Sequence, residues 1–324
     1  MKVLGAAAVE ALLPITQCVE VVDAAMRALS SQQVLSPLRT VLPLASPNAM
    51  GVMPGAMLEH GYFGVKVLAL YPGNGALALP SHGGVMVLFD AASGSPLAVL
   101  DSNSLTALRT AAASAVATRA LARPGSRVMA LLGTGHQALW HVHALRAVLP
   151  FTRLQLWSRT PAGVAHLVHK LGALDGVEVV AVATAHDAVR GADVVCTVSA
   201  AREPILHGAW LEPGQHVNLV GASVASAREA DVDVVRRSRF FVDARASAAA
   251  QAGEWLQALK EGAVQESHLC GEIGEVLLGK LPGRKSVADI TVYKSLGHTA
   301  QDLAAAGAVY RNAAAHAGYP DSAW

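Results

Sequence analysis

The segment VMALLGTGHQA, residues 128–138, runs an apolar, strand-like stretch straight into Gly133-Thr134-Gly135-His136-Gln137-Ala138, and LWHVHALRAV (139–148) follows at helical spacing. This is the G-x-G-x-x-A form of the dinucleotide fingerprint in its strand–turn–helix setting. The first glycine permits the tight turn, and the second lets backbone N–H groups approach a pyrophosphate at the helix N-terminus. Ala138 lets helix and strand pack closely. A lone G-x-G is most often just a turn; the strands around this one give it weight.

Outward from this loop, strand-like runs alternate with helical segments: LQLWS at 154–158, VEVVAV at 177–182, DVVCTV at 193–198, HVNLVG at 216–221 and FFVDA at 240–244. Continuous apolar strands separated by helices imply a parallel sheet covered on both faces, a doubly wound α/β domain. At the end of the strand after the fingerprint, enzymes that use NAD usually carry an acid for the ribose 2′-hydroxyl. Trp157-Ser158-Arg159-Thr160 stands there instead, a guanidinium and two hydroxyls that suit a 2′-phosphate. The expected cofactor is NADPH, with NADP(H) preferred over NAD(H).

Before the fingerprint the texture differs. Residues 7–30 carry apolar positions at helical spacing, with Pro14 separating two short helices. VKVLAL (65–70), VMVLFD (85–90) and PLAVLD (96–101) are β-like and punctuated by turn clusters at 72–75 and 93–95. An Ala-rich helix over about 104–122 ends at Arg123-Pro124-Gly125, and a last helix covers about 299–317.

The 324 residues are 52% apolar and 15% charged, a composition that excludes disorder. A formal charge of +1 without charged runs leaves no footprint for nucleic acid or an anionic membrane, so the partner is a small molecule. Mean hydropathy is +0.38, yet every long apolar stretch is interrupted before about 18 residues, which argues against a membrane span. Glu10 breaks the apolar N-terminal run, which reads as a helix rather than a signal peptide. Cys18, Cys196 and Cys270 are odd in number and widely spaced, as suits packing residues in a reducing cytoplasm.

Several segments, including GVKVLALYPGN (64–74), SHGGVMVLFDAASGSPLAVLD (81–101), LTALRTAAASAVAT (105–118), GADVVCTVSA (191–200), EPILHGAWLEPGQHVNLVGAS (203–223), EIGEVLLGKLPGR (272–284) and TVYKSLGHTAQDLAAA (291–306), resemble the ornithine cyclodeaminase/mu-crystallin family. The likeness runs over about residues 34–310 and leans toward the family's ketimine reductases. It implies a Rossmann NADP-binding domain over 116–305 and a smaller α+β substrate and dimerisation domain built from both chain ends, 1–115 and 306–324. It also implies a homodimer and, beyond the glycine loop with Ser158, Arg159 and Thr160, cofactor contacts at Thr197, Val198, Ser199, Leu296 and Gly297.

The first half holds few cations, and Arg39, Lys66 and Arg109 stand out in apolar surroundings. A buried cation needs an anionic partner, and where no acid is near, a ligand carboxylate can take that place. Snorkelling to the surface or an internal ion pair are the alternatives. The resemblance assigns all three to a substrate α-carboxylate. Where the family's cyclodeaminases carry a proton-transferring Asp, this chain has Ser223, which cannot serve as a carboxylate acid or base near neutral pH. Ser223 is therefore expected at the substrate nitrogen or the cofactor, or as a structural cap. His82, in Pro80-Ser81-His82-Gly83-Gly84, lies in a turn the family places beside the substrate; the other histidines look ordinary and form no metal pattern. Glu272 and Glu275 read as a charge pair at a helix start. The expected activity is NADPH-dependent reduction of Δ1-pyrroline-2-carboxylate and Δ1-piperideine-2-carboxylate to L-proline and L-pipecolate. Reductive amination or opine-type imine reduction, cyclodeamination and a non-catalytic ligand-binding role stand as alternatives.

Overall fold

The computed structural model describes residues 1–77 and 79–322, so Ala323 and Trp324, at the end of the expected 306–324 segment, lie outside it. The chain divides into two compact units, Met1–Thr110 with His298–Trp324, and Ala111–Gly297. The return to the first unit falls at His298, earlier than residue 306, because the whole helix Thr299–Ala314 packs on elements of that unit.

The first unit is a six-stranded sheet with helices on one face. Its strands are β1 (Lys2–Leu4), β2 (Thr40–Pro43), β3 (Ala49–Met57), β4 (Tyr62–Leu70), β5 (His82–Asp90) and β6 (Pro96–Asp101), in the order β1-β6-β5-β4-β3-β2. Strands β2 to β6 form an antiparallel meander, and β1 pairs in parallel with β6. The helix expected at the N-terminus thus starts only after a short strand: α1 is Ala6–Leu12 and α2 is Ile15–Ser30, parted at Pro14 as its missing N–H requires. The apolar stripe of α2, Val19, Val22 and Met26, is buried together with Leu303 and Val309 of the C-terminal helix.

Strand alternation sorts the sheet into two faces. Met53, Lys66, Met86, Leu88 and Leu100 are buried. On the opposite face, cross-strand registers bring together Val52, Val67 and Val85, then Pro54, Val65 and Val87, then Ala56, Phe63 and Phe89. Phe63 and Phe89 stack at 5.1 Å, and Val85 is 41% exposed.

The second unit is an all-parallel, eight-stranded sheet: β7 (Val128–Leu132), β8 (Arg153–Trp157), β9 (Glu178–Ala181), β10 (Val194–Thr197), β11 (His216–Leu219), β12 (Ser238–Val242), β13 (Leu269–Glu272) and β14 (Ile290–Lys294). Their order is β13-β12-β14-β11-β10-β7-β8-β9. Helices α3 (Ser102–Leu121), α4 (His136–Val148) and α5 (Pro161–Leu171) lead into β7, out of β7 and out of β8. The chain runs outward from β7 to β9, then returns to place β10 on the other side of β7. That reversal is the switch point at which doubly wound sheets bind ligands outside the carboxyl ends of their strands. The α/β class with a Rossmann domain is as expected. The insertion of β14 between β11 and β12 is not legible in the pattern of apolar runs.

Candidate active site

The fingerprint loop has the backbone the sequence asks for. Gly133 has φ +117°, and a Cβ there would lie 2.9 Å from the backbone of Val198, so only glycine fits between β7 and the end of β10. Gly135 caps α4, and a Cβ there would meet nothing within 4 Å, which leaves open space before the helix N-terminus. His136 opens the helix, Gln137 accepts from the His141 ring through its carbonyl at 2.8 Å, and Ala138 is fully buried. Burial pushes the His141 imidazole down to about 4, so it is neutral and structural.

At the end of β8, Ser158 is half-buried and Arg159 and Thr160 are exposed. The Thr134, Thr160 and Ser158 hydroxyls converge on Gly163, where a Cβ would come within 2.6, 3.0 and 3.4 Å of them. Absence of a side chain at Gly163 lets these hydroxyls gather beside the glycine loop. With Arg159 next to them, the set fits a nicotinamide dinucleotide carrying phosphate or hydroxyl at its adenosine ribose.

Two buried carboxylates shape the neighbouring strand ends, and sequence reasoning missed both. Glu229 Oε1 accepts from the Ser199 N–H at 2.7 Å and its hydroxyl at 2.6 Å, while Oε2 accepts from the Thr197 hydroxyl at 2.7 Å and the Gly221 N–H at 2.6 Å. Burial pushes the Glu229 carboxyl above its ordinary value, opposed by the Lys294 ammonium and these donors. Asp243 accepts from the N–H groups of Leu296 at 2.6 Å and Gly297 at 2.8 Å, and from the Tyr293 hydroxyl. The expected cofactor contacts Thr197, Ser199, Leu296 and Gly297 are thus each tied to one of the two acids; Val198 is buried. Ser223 is half-buried in the loop after β11.

In the first unit, Lys66 is 1% and Arg109 5% exposed. An acid does lie near them. Asp302, fully buried on the C-terminal helix, places Oδ2 at 2.6 Å from Lys66 Nζ and accepts from Arg109 Nε at 2.8 Å through Oδ1. Gln301 Oε1 takes a further Arg109 donor at 3.0 Å, and Thr106 lies 3.4 Å from Lys66 Nζ. The internal ion pair left open by the sequence is therefore present for two of the three cations. Its signal was a lone acid in the Ala-rich run TAQDLAAAG. Burial pushes the Lys66 ammonium down to about 8; Asp302 opposes that shift, while Arg109 and the half-buried Arg39 add to it. For Asp302, burial acts upward, but Arg109 and Lys66 overcome it and hold the carboxyl below its ordinary value.

His82 is exposed at the start of β5, with Ser81 Oγ 2.9 Å from Nδ1. Glu272 and Glu275 are structural: Glu275 accepts from the Glu272 N–H at 2.8 Å and pairs with Arg245 at 3.0 Å, which caps a short helix start. Among the described residues no His, Cys, Asp and Glu cluster could hold a metal, and no helix is long and apolar enough to cross a membrane.

A parallel sheet with this strand reversal, a glycine turn at the end of its first strand and hydroxyls gathered beside it define a dinucleotide-binding protein of Rossmann type, extended by an antiparallel domain. Comparison with known proteins refines the class: the Ornithine cyclodeaminase/mu-crystallin family pattern matches residues 1–317, and the chain belongs to that family. Ketimine reductase mu-crystallin of Mus musculus is 39% identical over 278 residues, 86% of this chain and 85% of the relative. The solved Delta(1)-pyrroline-2-carboxylate reductase of Thermococcus litoralis, in complex with NADH and L-proline, superposes with a TM-score of 0.94 at 30% identity, covering 99% of this chain and 100% of that one. An archaeal alanine dehydrogenase dimer with bound NAD gives 0.92 at 30% identity, over 97% of this chain and 96% of that one.

Proposed function

We propose that the protein is an NADPH-dependent reductase of cyclic ketimine carboxylates, Δ1-pyrroline-2-carboxylate and Δ1-piperideine-2-carboxylate, yielding L-proline and L-pipecolate. The observation that carries this reading is the cation cluster: Lys66 and Arg109 share one carboxylate, and Arg39 brings a third positive charge into range of Lys66. Such a cluster suits an anionic ligand, and a guanidinium fixes the orientation of a carboxylate as well as neutralising it. Likeness to the murine and Thermococcus reductases supports the same substrate class.

When bound, the reduced nicotinamide supplies the hydride. The chain's own residues anchor the substrate through Lys66, Arg109 and Arg39, with His82 as a further contact; Ser223 is assigned to the substrate nitrogen or to the cofactor. A cyclic ketimine can enter already protonated as the iminium, so a serine in place of a carboxylate at position 223 is no handicap to reduction. The same serine disfavours cyclodeamination, which needs a proton carrier. NADPH is favoured over NADH by Ser158-Arg159-Thr160, although the two neighbours named above carry NADH and NAD. The apolar sheet face centred on Val65, Val67 and Val87 is proposed as the homodimer contact, in line with the dimeric archaeal neighbour. Free Cys18, Cys196 and Cys270 fit a cytoplasmic setting.

NADPH oxidation over a panel of pyrroline-2-carboxylate, piperideine-2-carboxylate and pyruvate with ammonia or methylamine tests the reading. The cyclic imines are expected to turn over best. Oxidation that requires ammonia would favour reductive amination of an acyclic 2-oxo acid, the reading to which the alanine dehydrogenase likeness points.

A further inference from the structure

We infer that Asp302 is a positioning residue of the imino-acid site, holding Lys66 and Arg109 side by side and keeping Lys66 charged through neutral pH. The inference rests on the anchoring role proposed above for those two cations.

Lysine on the buried face of a strand pays a desolvation penalty that favours its neutral form, and a neutral amine cannot bind a carboxylate as an ion pair. The surroundings of Lys66 are mostly unfavourable to charge. From α3 it meets Arg109 and the Thr106 hydroxyl, and from the segment before β2 it feels Arg39. From α2, Cys18 lies in range of Arg109 and offers no negative charge, because burial pushes its thiol up to about 12. Asp302, from the C-terminal helix, is the acid in contact with it. The two oxygens of Asp302 divide between the cations, Oδ2 to Lys66 and Oδ1 to Arg109 Nε. Gln301, one residue earlier on that helix, takes Nη1, so both of these partners approach Arg109 from one helix and neither engages Nη2. One carboxylate therefore lets two cations coexist before any ligand arrives, and orients them without cancelling both charges. Preorganised charge of this kind spares the site reorganisation on binding.

The test compares wild type with Asp302→Asn, a near-isosteric change that removes the charge and exchanges one acceptor oxygen for an NH2 donor. With Δ1-pyrroline-2-carboxylate at pH 7, kcat/KM is expected to fall about tenfold or more, chiefly through the KM of the imine, with NADPH affinity unchanged. The alkaline limb of the kcat/KM profile, expected near pH 8 in wild type, should move down by about one pH unit or more, because the anion that favours Lys66 in its charged form is gone. An unmoved limb with an unchanged imine KM would overturn the inference.

Melting temperatures against pH provide a readout that needs no activity. Loss of Asp302 lowers the pKa of folded Lys66 further below that of the unfolded chain, so the variant regains stability at lower pH than wild type does. The gap between the two proteins should be widest near pH 6 and narrower at pH 9. A gap independent of pH would refute the inference, whereas a wild-type enzyme inactive on imines would refute only the assigned function. If Asp302→Asn does not fold, the Lys66→Met/Asp302→Asn double variant should be the more stable of the two, and failure to gain stability would equally overturn the inference.

Discussion

The Gly221 N–H donates to the Glu229 carboxylate at 2.6 Å, which ties the end of β11 to a buried acid that also holds the end of β10. Four donors on one carboxylate leave no room for an amide, whose NH2 would face N–H or O–H groups. Glu229→Gln is therefore expected to disorder the Thr197–Ser199 and Gly221 backbone. NADPH affinity, read by cofactor fluorescence, should weaken about tenfold or more, from the loss of at least one charge-assisted hydrogen bond. Unchanged affinity would show that these strand ends do not shape the cofactor site.

Arg159→Asp should reverse the cofactor preference. Loss of the guanidinium removes a charge-assisted contact of about 1.5–3 kcal/mol, so the NADPH KM rises roughly tenfold to a hundredfold while that of NADH holds or improves. Paired KM measurements for the two cofactors read this directly. A ratio equal to that of wild type would retire the assignment.

Lys66→Ala removes an anchor and, among the described residues, leaves Asp302 paired with Arg109 alone. Imine turnover is expected to be lost, with stability reduced by about 3 kcal/mol because a buried pair has been broken. Chemical denaturation measures the second effect, and NADPH titration of the folded variant should match wild type. Full imine turnover in this variant would remove Lys66 from the site.

The valine-rich face of the β3–β6 sheet gives a test of assembly. Val67→Glu puts a charge on the row formed with Val52 and Val85. If that face joins two copies, light scattering should show a dimer for wild type and a monomer for the variant, since an unpaired buried carboxylate costs several kcal/mol. A variant that stays dimeric would place the contact elsewhere.

Local pattern carried much of this protein. The Gly133 turn, the Ala138 helix contact and the runs that became β7, β8, β10, β11 and β12 are short-range features, set by steric freedom and continuous apolar stretches, and they were legible without coordinates. So was the break at Pro14. Strand β14 was not, because its place between β11 and β12 depends on a long-range crossover that leaves no periodicity in ITVYK. Asp302 escaped for the same kind of reason: it lies 193 residues from Arg109, and a lone acid in an Ala-rich run calls for a partner without saying which residue supplies it.

The sequence by itself determined the doubly wound domain, the dinucleotide loop, and three basic residues where an apolar half should carry few. Those follow from residue type and spacing along a few turns or strands. Only tertiary structure decided how the buried charges are balanced, setting Asp302 between Lys66 and Arg109 and Glu229 beneath two strand ends. Electrostatic pairing in a dry interior depends on distances in space, and the chain's order does not encode those distances locally.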